Sequence, residues 1–532
     1  MRSAGRASFD FSAGIVYDKP YCFSISAEGE SGVNYQSTRG GRTGVSAAQA
    51  VAQGICGDGG LFVPEAFPRF SERAIEGMEG LDYRARAALV MAPFLTDFSG
   101  EELRGCVADA YAEQKFSGPP APLSSPESGV WFLELWHGPT CAFKDMALQL
   151  LPRLLTLSLG KIRSQKGALI LVATSGDTGK AALEGFRDVK GTRVAVFYPQ
   201  NGVSALQERQ MRTQRGGNVS VWAVRGNFDD AQTGVKKIFA DGHIREETGK
   251  RGWMLSSANS INWGRLLPQI VYYFSAWCDL AASGAVRPGE PVDFCVPTGN
   301  FGDILAAYYA KKMGLPVGRL VCASNANNVL TEFLKTGVYD RNRRFYTTIS
   351  PSMDILVSSN LERLLFDLTG GDGGRVAGWM AELARSGRYR VEDDVLAKLH
   401  ALFWAGCCGD DETRDEIRGA YARARYLCDP HTAVAARVFR RYRRETGSRA
   451  PGVVVSTASP YKFAPDVLSA LKGGAPQNED AFACMRELAA LTGVPVPRPL
   501  AALEAQPLRF SDACAPEKMG EAVLRAAGCG KG

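Results

Sequence analysis

Short apolar runs alternate with amphipathic stretches through most of the chain after residue 130. Each run is long enough for one buried strand, and turn residues bound it. The predicted strands are Ala168–Ala173, Arg193–Tyr198, Val219–Val224, Val292–Val296, Leu320–Ala323 and Val453–Ser456. Amphipathic stretches such as Ala181–Arg187 and Leu305–Lys312 lie between several of them. This alternation predicts parallel sheets with helices on both faces, and such sheets bind ligands at the carboxyl ends of their strands.

The pattern before residue 130 favours helices. Ser46 is placed to cap a helix that runs through Val51 and Ile55, and residues 67–117 are charged with apolar positions at helical spacing. Residues 118–129 are rich in Pro, Ser and Gly, which predicts a linker. Residues 1–32 show no clear pattern.

These patterns divide the chain into four predicted segments. Residues 1–32 form an N-terminal extension and residues 33–125 a mainly helical N-terminal domain. Residues 126–270 form an α/β domain that contains Lys144, and residues 271–532 form a large α/β domain with a C-terminal helical region.

Composition narrows the class of protein. The 532 residues are 45% apolar and 22% charged, and the net charge of +6 is a small excess of 62 basic over 56 acidic side chains. The densest basic run, Arg437–Arg444, is predicted to be a solvated helix face, so no nucleic-acid partner is expected. No stretch is apolar enough for a membrane helix, and no apolar signal core follows Arg2 and Arg6. We expect a cytoplasmic protein, with an organellar transit peptide left open.

Cysteine and histidine usage argues against a metal site. The thirteen cysteines show no Cys-x-x-Cys pair, and the chain has only four histidines. Free, mostly buried thiols in a reducing compartment are the simplest interpretation.

Two segments follow predicted strands and could bind anions. Val172-Ala-Thr-Ser175-Gly-Asp-Thr178-Gly179 would aim backbone N–H groups and hydroxyls at a carboxylate, although an ordinary capping turn would have the same composition. Pro297-Thr-Gly299-Asn-Phe-Gly302-Asp303 has two glycines that let the backbone close around a phosphate. Together they suggest a phosphorylated cofactor beside a carboxylated or phosphorylated substrate.

Three further segments carry candidate chemistry. Asn259, Asn262 and Arg265 are spaced by three residues, so they would line one edge of a turn or helix, and Arg can bind phosphate. Lys144 lies between Phe143 and the apolar residues 146–151, where desolvation would favour the neutral amine that Schiff-base formation needs. Ser456, Thr457 and Ser459 lie at the end of a predicted strand, where a hydroxyl could hydrogen-bond a neutral pyridine nitrogen. In isolation, each also fits a purely structural role.

The segments together resemble the threonine synthase family, in the longer-chain branch found in fungi and many bacteria. The matching stretches run in order from residue 34 to residue 463. They are Asn34–Gly41, Asp58–Pro64, His137-Gly-Pro-Thr with Ala-Phe-Lys144-Asp, Ala173–Gly179, Ser260-Ile-Asn262 with Arg265 and Gln269–Phe274, Gly299–Asp303 and Ser456-Thr-Ala. The resemblance implies a fold-type-II pyridoxal-phosphate enzyme, similar to the β subunit of tryptophan synthase, with two parallel-sheet α/β domains and a helical N-terminal region.

The resemblance also implies a role for each motif. Lys144 would carry pyridoxal 5'-phosphate as a Schiff base and later move protons between substrate carbons. The cofactor phosphate would be held by Gly299, Asn300, Phe301, Gly302 and Asp303, and the pyridine nitrogen by Thr457. The substrate carboxylate would be bound by Ser175, Gly176, Asp177 and Thr178, and the substrate phosphate by Asn259, Asn262 and Arg265. No metal is implied.

The implied reaction converts O-phospho-L-homoserine and water to L-threonine and phosphate, in a monomer or homodimer. Two positions depart from the family's Thr-Ala-His-Pro-Ala-Lys-Phe, because Ser459 replaces the His and Tyr461 replaces the second Ala. Met146 also follows Lys144-Asp where Gly or Phe is more usual. A related phospho-lyase that releases 2-oxobutyrate, ammonia and phosphate is therefore an alternative. An inactive metabolite-binding homologue is a second alternative, which the intact Lys144 and glycine loops disfavour.

Overall fold

A computed structural model describes residues 33–474 and 480–528, apart from the side chain of Asp229. The predicted N-terminal extension, residues 1–32, lies outside the described residues. Within the described ranges, two sheets of mainly parallel strands are surrounded by helices, which confirms the predicted α/β class. None of the helices in these ranges combines the length and apolar character needed to cross a membrane.

Residues 33–117 are mainly helical, as the pattern predicts. The elements are β1 (Tyr35–Ser37), α1 (Ala47–Gln53), β2 (Phe62–Pro64), α2 (Glu72–Glu76), α3 (Tyr83–Met91) and α4 (Gly100–Ala110), with a 3-10 helix at Ala92–Phe94. Ser46 caps α1, because its hydroxyl accepts the Gln49 N–H at 3.3 Å while the Gln49 side chain accepts the Ser46 N–H. The helix ends before Ile55, because Gly54 adopts a φ of 72°.

The strands after residue 117 include all six that the pattern predicts. They are β3 (Leu123–Glu127), β4 (Val130–Glu134), β5 (Gly167–Ala173), β6 (Thr192–Pro199), β7 (Val219–Val224), β8 (Trp253–Ser257), β9 (Val292–Pro297), β10 (Val317–Ser324), β11 (Val338–Asp340), β12 (Arg388–Arg390), β13 (Phe403–Cys407), β14 (Gly452–Ser456) and β15 (Ala513–Cys514). The predicted strands coincide with β5, β6, β7, β9, β10 and β14. The pattern misses the other seven strands that the structure describes after residue 117, which have two to five residues each and give a weak signal.

The helices after residue 117 separate most of these strands. They are α5 (Asp145–Leu148), α6 (Leu151–Lys161), α7 (Asp177–Gly185), α8 (Ala205–Arg212), α9 (Phe228–Ala240), α10 (Gly242–Lys250), α11 (Trp263–Ala282), α12 (Gly302–Lys312), α13 (Val329–Thr336), α14 (Leu361–Leu368), α15 (Gly373–Ser386), α16 (Asp393–Leu402), α17 (Asp410–Ala424), α18 (Pro430–Thr446), α19 (Ala464–Lys472), α20 (Ala481–Thr492), α21 (Arg498–Ala501) and α22 (Met519–Gly528). Short 3-10 helices lie at Pro351–Met353, Pro460–Phe463 and Pro516–Lys518. The predicted helical stretches overlap α7 and α12.

The smaller sheet has the strand order β15-β7-β6-β5-β8, and all its neighbouring strands are parallel. Its edge strand β15 comes from the C-terminal end of the described chain, and α22 packs against β6, β7 and α9. Leu169, Phe197, Trp222 and Val523 share one apolar cluster on this face of the sheet. The C-terminal segment therefore completes the core of a sheet that the middle of the chain forms.

The larger sheet has the order β13-β10-β9-β14-β4-β3. Its strands are parallel except β3, which pairs antiparallel with β4. The linker predicted at residues 118–129 is wrong in this respect, because β3 occupies five of those residues. Pro126 is compatible with a strand here, because β3 lies at the edge of the sheet.

The two sheets draw on interleaved parts of the chain. The larger sheet takes β3 and β4 from before the smaller sheet begins, and the smaller sheet takes β15 from the C-terminal end. The division at residues 126 and 271 therefore stays a prediction. The carboxyl ends of β5 and β14, one in each sheet, are brought together by contacts between the residues that follow them.

Candidate active site at the junction of the two sheets

Lys144 lies beside the residues that follow β14. After β4 the chain runs along that strand end, where the Leu135 N–H donates to the Ser456 oxygen at 2.9 Å and the Phe143 N–H to the Thr457 oxygen at 2.8 Å. Lys144 then precedes α5, and its Nζ lies 4.6 Å from the centre of the Phe143 ring. The structure thus brings together Lys144 and Thr457, which are more than three hundred positions apart in sequence.

Burial makes Lys144 a weaker base than a surface lysine. Desolvation lowers its pKa to about 8, although Asp177, whose Oδ2 lies 3.9 Å from Nζ, opposes this effect. The cations Lys462 and Arg265 lower the pKa further. About a tenth of the amine is therefore neutral at pH 7, against far less than a hundredth for an ordinary lysine.

The predicted carboxylate-binding turn joins β5 to α7. Gly176 has a φ of 131°, and a Cβ there would lie 2.3 Å from Cδ of Gln207, so only glycine fits. The Thr174 hydroxyl accepts the N–H groups of Gly176 at 3.0 Å and Gly179 at 2.9 Å. Ser175 and Thr178 are half-buried at the start of α7, where their hydroxyls and the helix N-terminus suit an anion.

The Asp177 side chain does not itself suit a carboxylate ligand. It accepts hydrogen bonds from Lys462 Nζ at 2.7 Å and Gln207 Nε2 at 3.0 Å on Oδ1, and from Ser352 Oγ at 3.3 Å on Oδ2. Burial alone would raise its pKa, but Lys462 and Lys144 hold that pKa well below its usual range. A permanent carboxylate would repel a second one, so only the backbone of Asp177 fits the predicted role.

The Gly299–Asp303 loop runs from β9 into α12, as predicted. A Cβ on Gly299 would lie 3.0 Å from the Ser352 oxygen, and Phe301 adopts a left-handed φ of 63° before α12 begins. The segment after the Pro351–Met353 helix closes over this loop. The Ser358 hydroxyl donates to the Gly299 oxygen at 2.9 Å, and the Asn360 N–H donates to the Asn300 oxygen at 3.1 Å. The loop is therefore fixed, and its α12 end is suited to a phosphate.

Asp303 ends the loop, but its carboxylate faces protein donors. Oδ1 accepts the hydroxyl hydrogens of Tyr272 and, at 2.7 Å, of Tyr273. Burial raises the pKa of Asp303 to about 6 against these hydrogen bonds, and Lys144 is near enough to lower that pKa. Within the described residues, Oδ2 has no hydrogen-bond partner. An anion would repel a phosphate, so the side chain fits a role beside Lys144 better than the predicted phosphate contact.

The three residues predicted for the substrate phosphate have different environments. Asn262 caps α11, because its Oδ1 accepts the Gly264 N–H at 2.8 Å and its Nδ2 donates to the Val51 oxygen at 3.0 Å. Both the oxygen and the nitrogen of its amide thus have partners within the fold. Asn259 is half-buried, and its backbone oxygen accepts the Asn262 N–H at 3.2 Å.

Arg265 has the properties expected of an anion ligand. The residue is buried in α11 and donates to the Ala258 oxygen, while its Nε has no partner among the described residues. Desolvation lowers its pKa to about 10, so it stays charged at neutral pH, and its charge acts on Lys144. A buried guanidinium with an unused donor beside a reactive amine favours a phosphate or carboxylate ligand.

Sequence reasoning missed a second set of polar residues at this junction. Lys462, in the 3-10 helix after β14, contacts Asp177, and Ser352 joins Asp177 to His431, whose Nε2 accepts the Ser352 N–H at 3.1 Å. His431 Nδ1 therefore carries the proton and donates to Asp429 Oδ1 at 2.7 Å. A lysine flanked by Tyr461 and Phe463 just after a buried strand was a usable signal for Lys462; the sequence gives no such signal for Ser352.

The assembled residues fit a phosphorylated aldehyde cofactor. Lys144 supplies a half-buried amine that is partly neutral at pH 7, and the glycine loop at the start of α12 supplies N–H groups for a phosphate. A Cβ on Gly299 would displace the backbone of the covering segment, and Arg265 keeps an unused buried donor.

Family models match most of the chain. Residues 34–111 match "Threonine synthase N terminus", residues 119–403 match "Pyridoxal-phosphate dependent enzyme", and residues 432–523 match "Threonine synthase, C-terminal". The second match covers more than half of the chain and includes Lys144, both glycine turns and Arg265.

Individual proteins are similar over the same region. Threonine synthase of Pseudomonas aeruginosa is 42% identical over 84% of this chain and 92% of its own length. Human threonine synthase-like 1 is also 42% identical, over 80% of this chain, but the chain spans only 58% of that relative's length. The pyridoxal-phosphate-bound crystal structure of threonine synthase from Brucella melitensis superposes with a TM-score of 0.82 at 37% identity, over 93% of this chain and 99% of that one.

Proposed function

The chain belongs to the threonine synthase family of pyridoxal-phosphate dependent enzymes, and we propose that it converts O-phospho-L-homoserine and water to L-threonine and phosphate. The observation that carries the proposal is the position of Lys144, an amine whose side chain is only 11% exposed and whose pKa is lowered to about 8. It lies between a glycine turn at each sheet and the buried cation Arg265. This arrangement can hold one phosphorylated cofactor and one anionic amino acid around the same amine.

The cofactor would be held from three sides. Lys144 Nζ would attach to it covalently as a Schiff base, and the N–H groups of Gly299–Gly302 would bind its phosphate. The Thr457 hydroxyl would face its pyridine nitrogen. When bound, pyridoxal phosphate withdraws electrons from the substrate carbon next to the amino group and makes the proton there acidic.

The substrate would be oriented by the remaining groups. Ser175 and Thr178 at the start of α7 would bind the carboxylate, and Arg265 would bind the phosphate that leaves. When it is not attached to the cofactor, Lys144 Nζ would be a base of lowered pKa and could carry protons between neighbouring substrate carbons. The position of one bound water relative to the oriented substrate would then decide where hydroxyl is added.

The proposal is tested by incubating the full chain, loaded with pyridoxal phosphate, with O-phospho-L-homoserine. We expect L-threonine to accumulate, as measured by chromatography against a standard. Lys144→Ala removes the amine that attaches the cofactor and moves protons, so it should lose borohydride-trapped cofactor and threonine formation together. Lys180→Ala, at a buried lysine that instead pairs with Glu184, is the matched control and should keep the trapped cofactor. Absence of threonine from the wild-type reaction would refute the proposal.

Location and assembly remain part of the proposal. The cysteines in the described ranges are free thiols and nearly all are buried, as expected for a reducing compartment. We therefore propose a cytoplasmic location. We also propose a monomer or homodimer without nucleic-acid or membrane partners. Gel filtration with light scattering would determine the oligomeric state.

A further inference from the structure

Lys462 is a fully buried cation that joins three parts of the site. Its side chain is 0% exposed, and its Nζ donates to Asp177 Oδ1 at 2.7 Å and to the Thr140 oxygen at 3.0 Å. Asp177 begins α7 of the smaller sheet, Thr140 belongs to the loop that leads to Lys144, and Lys462 itself follows β14 of the larger sheet. A buried charge of this kind is costly unless its partners are close and well placed.

Two lysines share the single Asp177 carboxylate. Lys462 Nζ is 2.7 Å from Oδ1, whereas Lys144 Nζ is 3.9 Å from Oδ2, beyond a direct hydrogen bond. Gln207 and Ser352 fill further acceptor positions of the same carboxylate. Asp177 therefore forms its close ion pair with Lys462, and its electrostatic attraction to Lys144 is weaker.

We propose that Lys462 is a positioning residue that occupies Asp177 and thereby keeps the Lys144 amine out of a close ion pair, available for covalent attachment to a carbonyl compound. Attachment joins Nζ to the carbonyl carbon and releases one water, and it begins from the amine that has lost its third proton. A lysine in a tight ion pair with Asp177 would hold that proton. The inference rests on the proposed function, because it takes Lys144 as the attachment site.

The other charges near Lys144 do not replace this effect. The groups that act on its ammonium are Asp177 from α7, Lys462 from the 3-10 helix after β14, Arg265 from α11 and Asp303 from α12. Arg265 has no hydrogen bond to Asp177 among those that the described residues form, and Asp303 receives the hydroxyls of Tyr272 and Tyr273. Removal of Lys462 would therefore leave Lys144 as the nearest cation to Asp177.

The test is the pH dependence of cofactor attachment to the full-length apoprotein. Pyridoxal phosphate is mixed with the apoprotein over a pH series, attachment is followed by absorbance, and the product is trapped with borohydride for peptide mapping. Two variants remove the Lys462 charge: Lys462→Met, and Lys462→Gln, which can still donate to Thr140. In both we expect the pH at which the attachment rate is half-maximal, its midpoint, to rise by about one pH unit or more. For Asp177→Asn it should fall, because Lys144 loses its counter-charge.

Controls separate charge from packing. Lys180→Met removes another buried cation, one that pairs with Glu184, and should leave the midpoint where it is. A purely structural role for Lys462 would slow attachment at every pH without moving the midpoint, and an unmoved midpoint in Lys462→Gln overturns the inference. If trapped cofactor in the wild type lies on a lysine other than Lys144, the proposed function fails instead, which peptide mapping distinguishes.

Discussion

At the junction of the sheets, some polar side chains hydrogen-bond within the fold, and others keep a buried donor or acceptor atom without a protein partner. Asn262 caps α11 with its amide oxygen and donates its amide nitrogen to the Val51 oxygen. Arg265 and Asp303 each keep one buried polar atom without a hydrogen-bond partner among the described residues. Buried polar atoms without partners are costly, so these two are the positions where a ligand would contribute most.

Arg265→Ala tests the ligand role of the guanidinium. We expect KM for O-phospho-L-homoserine to rise roughly tenfold to a hundredfold, the value of one charge-assisted hydrogen bond to a substrate phosphate. Borohydride-trapped cofactor on Lys144 should stay at the wild-type level. Arg265→Lys, which keeps the charge but not the second donor, should give a smaller rise. Wild-type kinetics in the alanine variant would remove Arg265 from the substrate site.

Asp303→Asn tests the cost of the buried carboxylate in the apoprotein. The folded pKa of Asp303 is about 6 against an ordinary value of 3.8, so its protonated form stabilises the fold, and this contribution is lost as the pH rises through about 6. The asparagine variant should therefore match the wild type near pH 4 and exceed its stability by about 3 kcal/mol above pH 6. Denaturant midpoints at both pH values measure this, and an equal difference at both would contradict it.

At the scale of elements, the strands were easier to predict than the turns at their carboxyl ends, where the candidate site residues lie. Six strands, among them β5 and β9, were predicted from continuous apolar runs, because a strand buried on both faces of a parallel sheet has such a run. The linker prediction for residues 118–129 was wrong, because Pro and Ser are compatible with both a linker and an edge strand. The two departures from the family motif lie just before Lys462, and the Lys462 N–H donates to the Ser459 oxygen at 3.1 Å. Ser459 accepts the Tyr461 N–H at 3.3 Å, and the Tyr461 hydroxyl donates to the Val494 oxygen.

The C-terminal helix α22 offers a prediction at this scale. Val523 is fully buried in the apolar cluster that covers the smaller sheet. Val523→Asp would bury an unpaired charge, so we expect a loss of several kcal/mol of stability and a lower denaturation midpoint. Arg525→Asp, on the exposed side of the same helix, should change the midpoint little. Similar midpoints for the two variants would show that α22 does not complete this core.

At the scale of the whole molecule, the site exists because two sheets meet at their carboxyl ends. The positions of the two glycine turns and of Thr457 after predicted strands indicated one shared edge, whereas Lys144 was singled out by its apolar neighbours and by the family resemblance. Which side chains would face the shared space could not be predicted, because Lys462, Ser352 and His431 reach it through contacts between distant segments. The resemblance to a family gave the roles of the motifs, and these roles stay predictions, while the geometry shows which protein groups Asn262, Asp177 and Asp303 already contact.

The central claim is that this junction directs its substrate to threonine. The most direct measurement is the ratio of L-threonine to phosphate released from O-phospho-L-homoserine by the full-length, cofactor-loaded protein, with 2-oxobutyrate and ammonia quantified in the same samples. We expect one threonine for each phosphate and no accumulation of 2-oxobutyrate. Phosphate matched by 2-oxobutyrate and ammonia instead of threonine would contradict it.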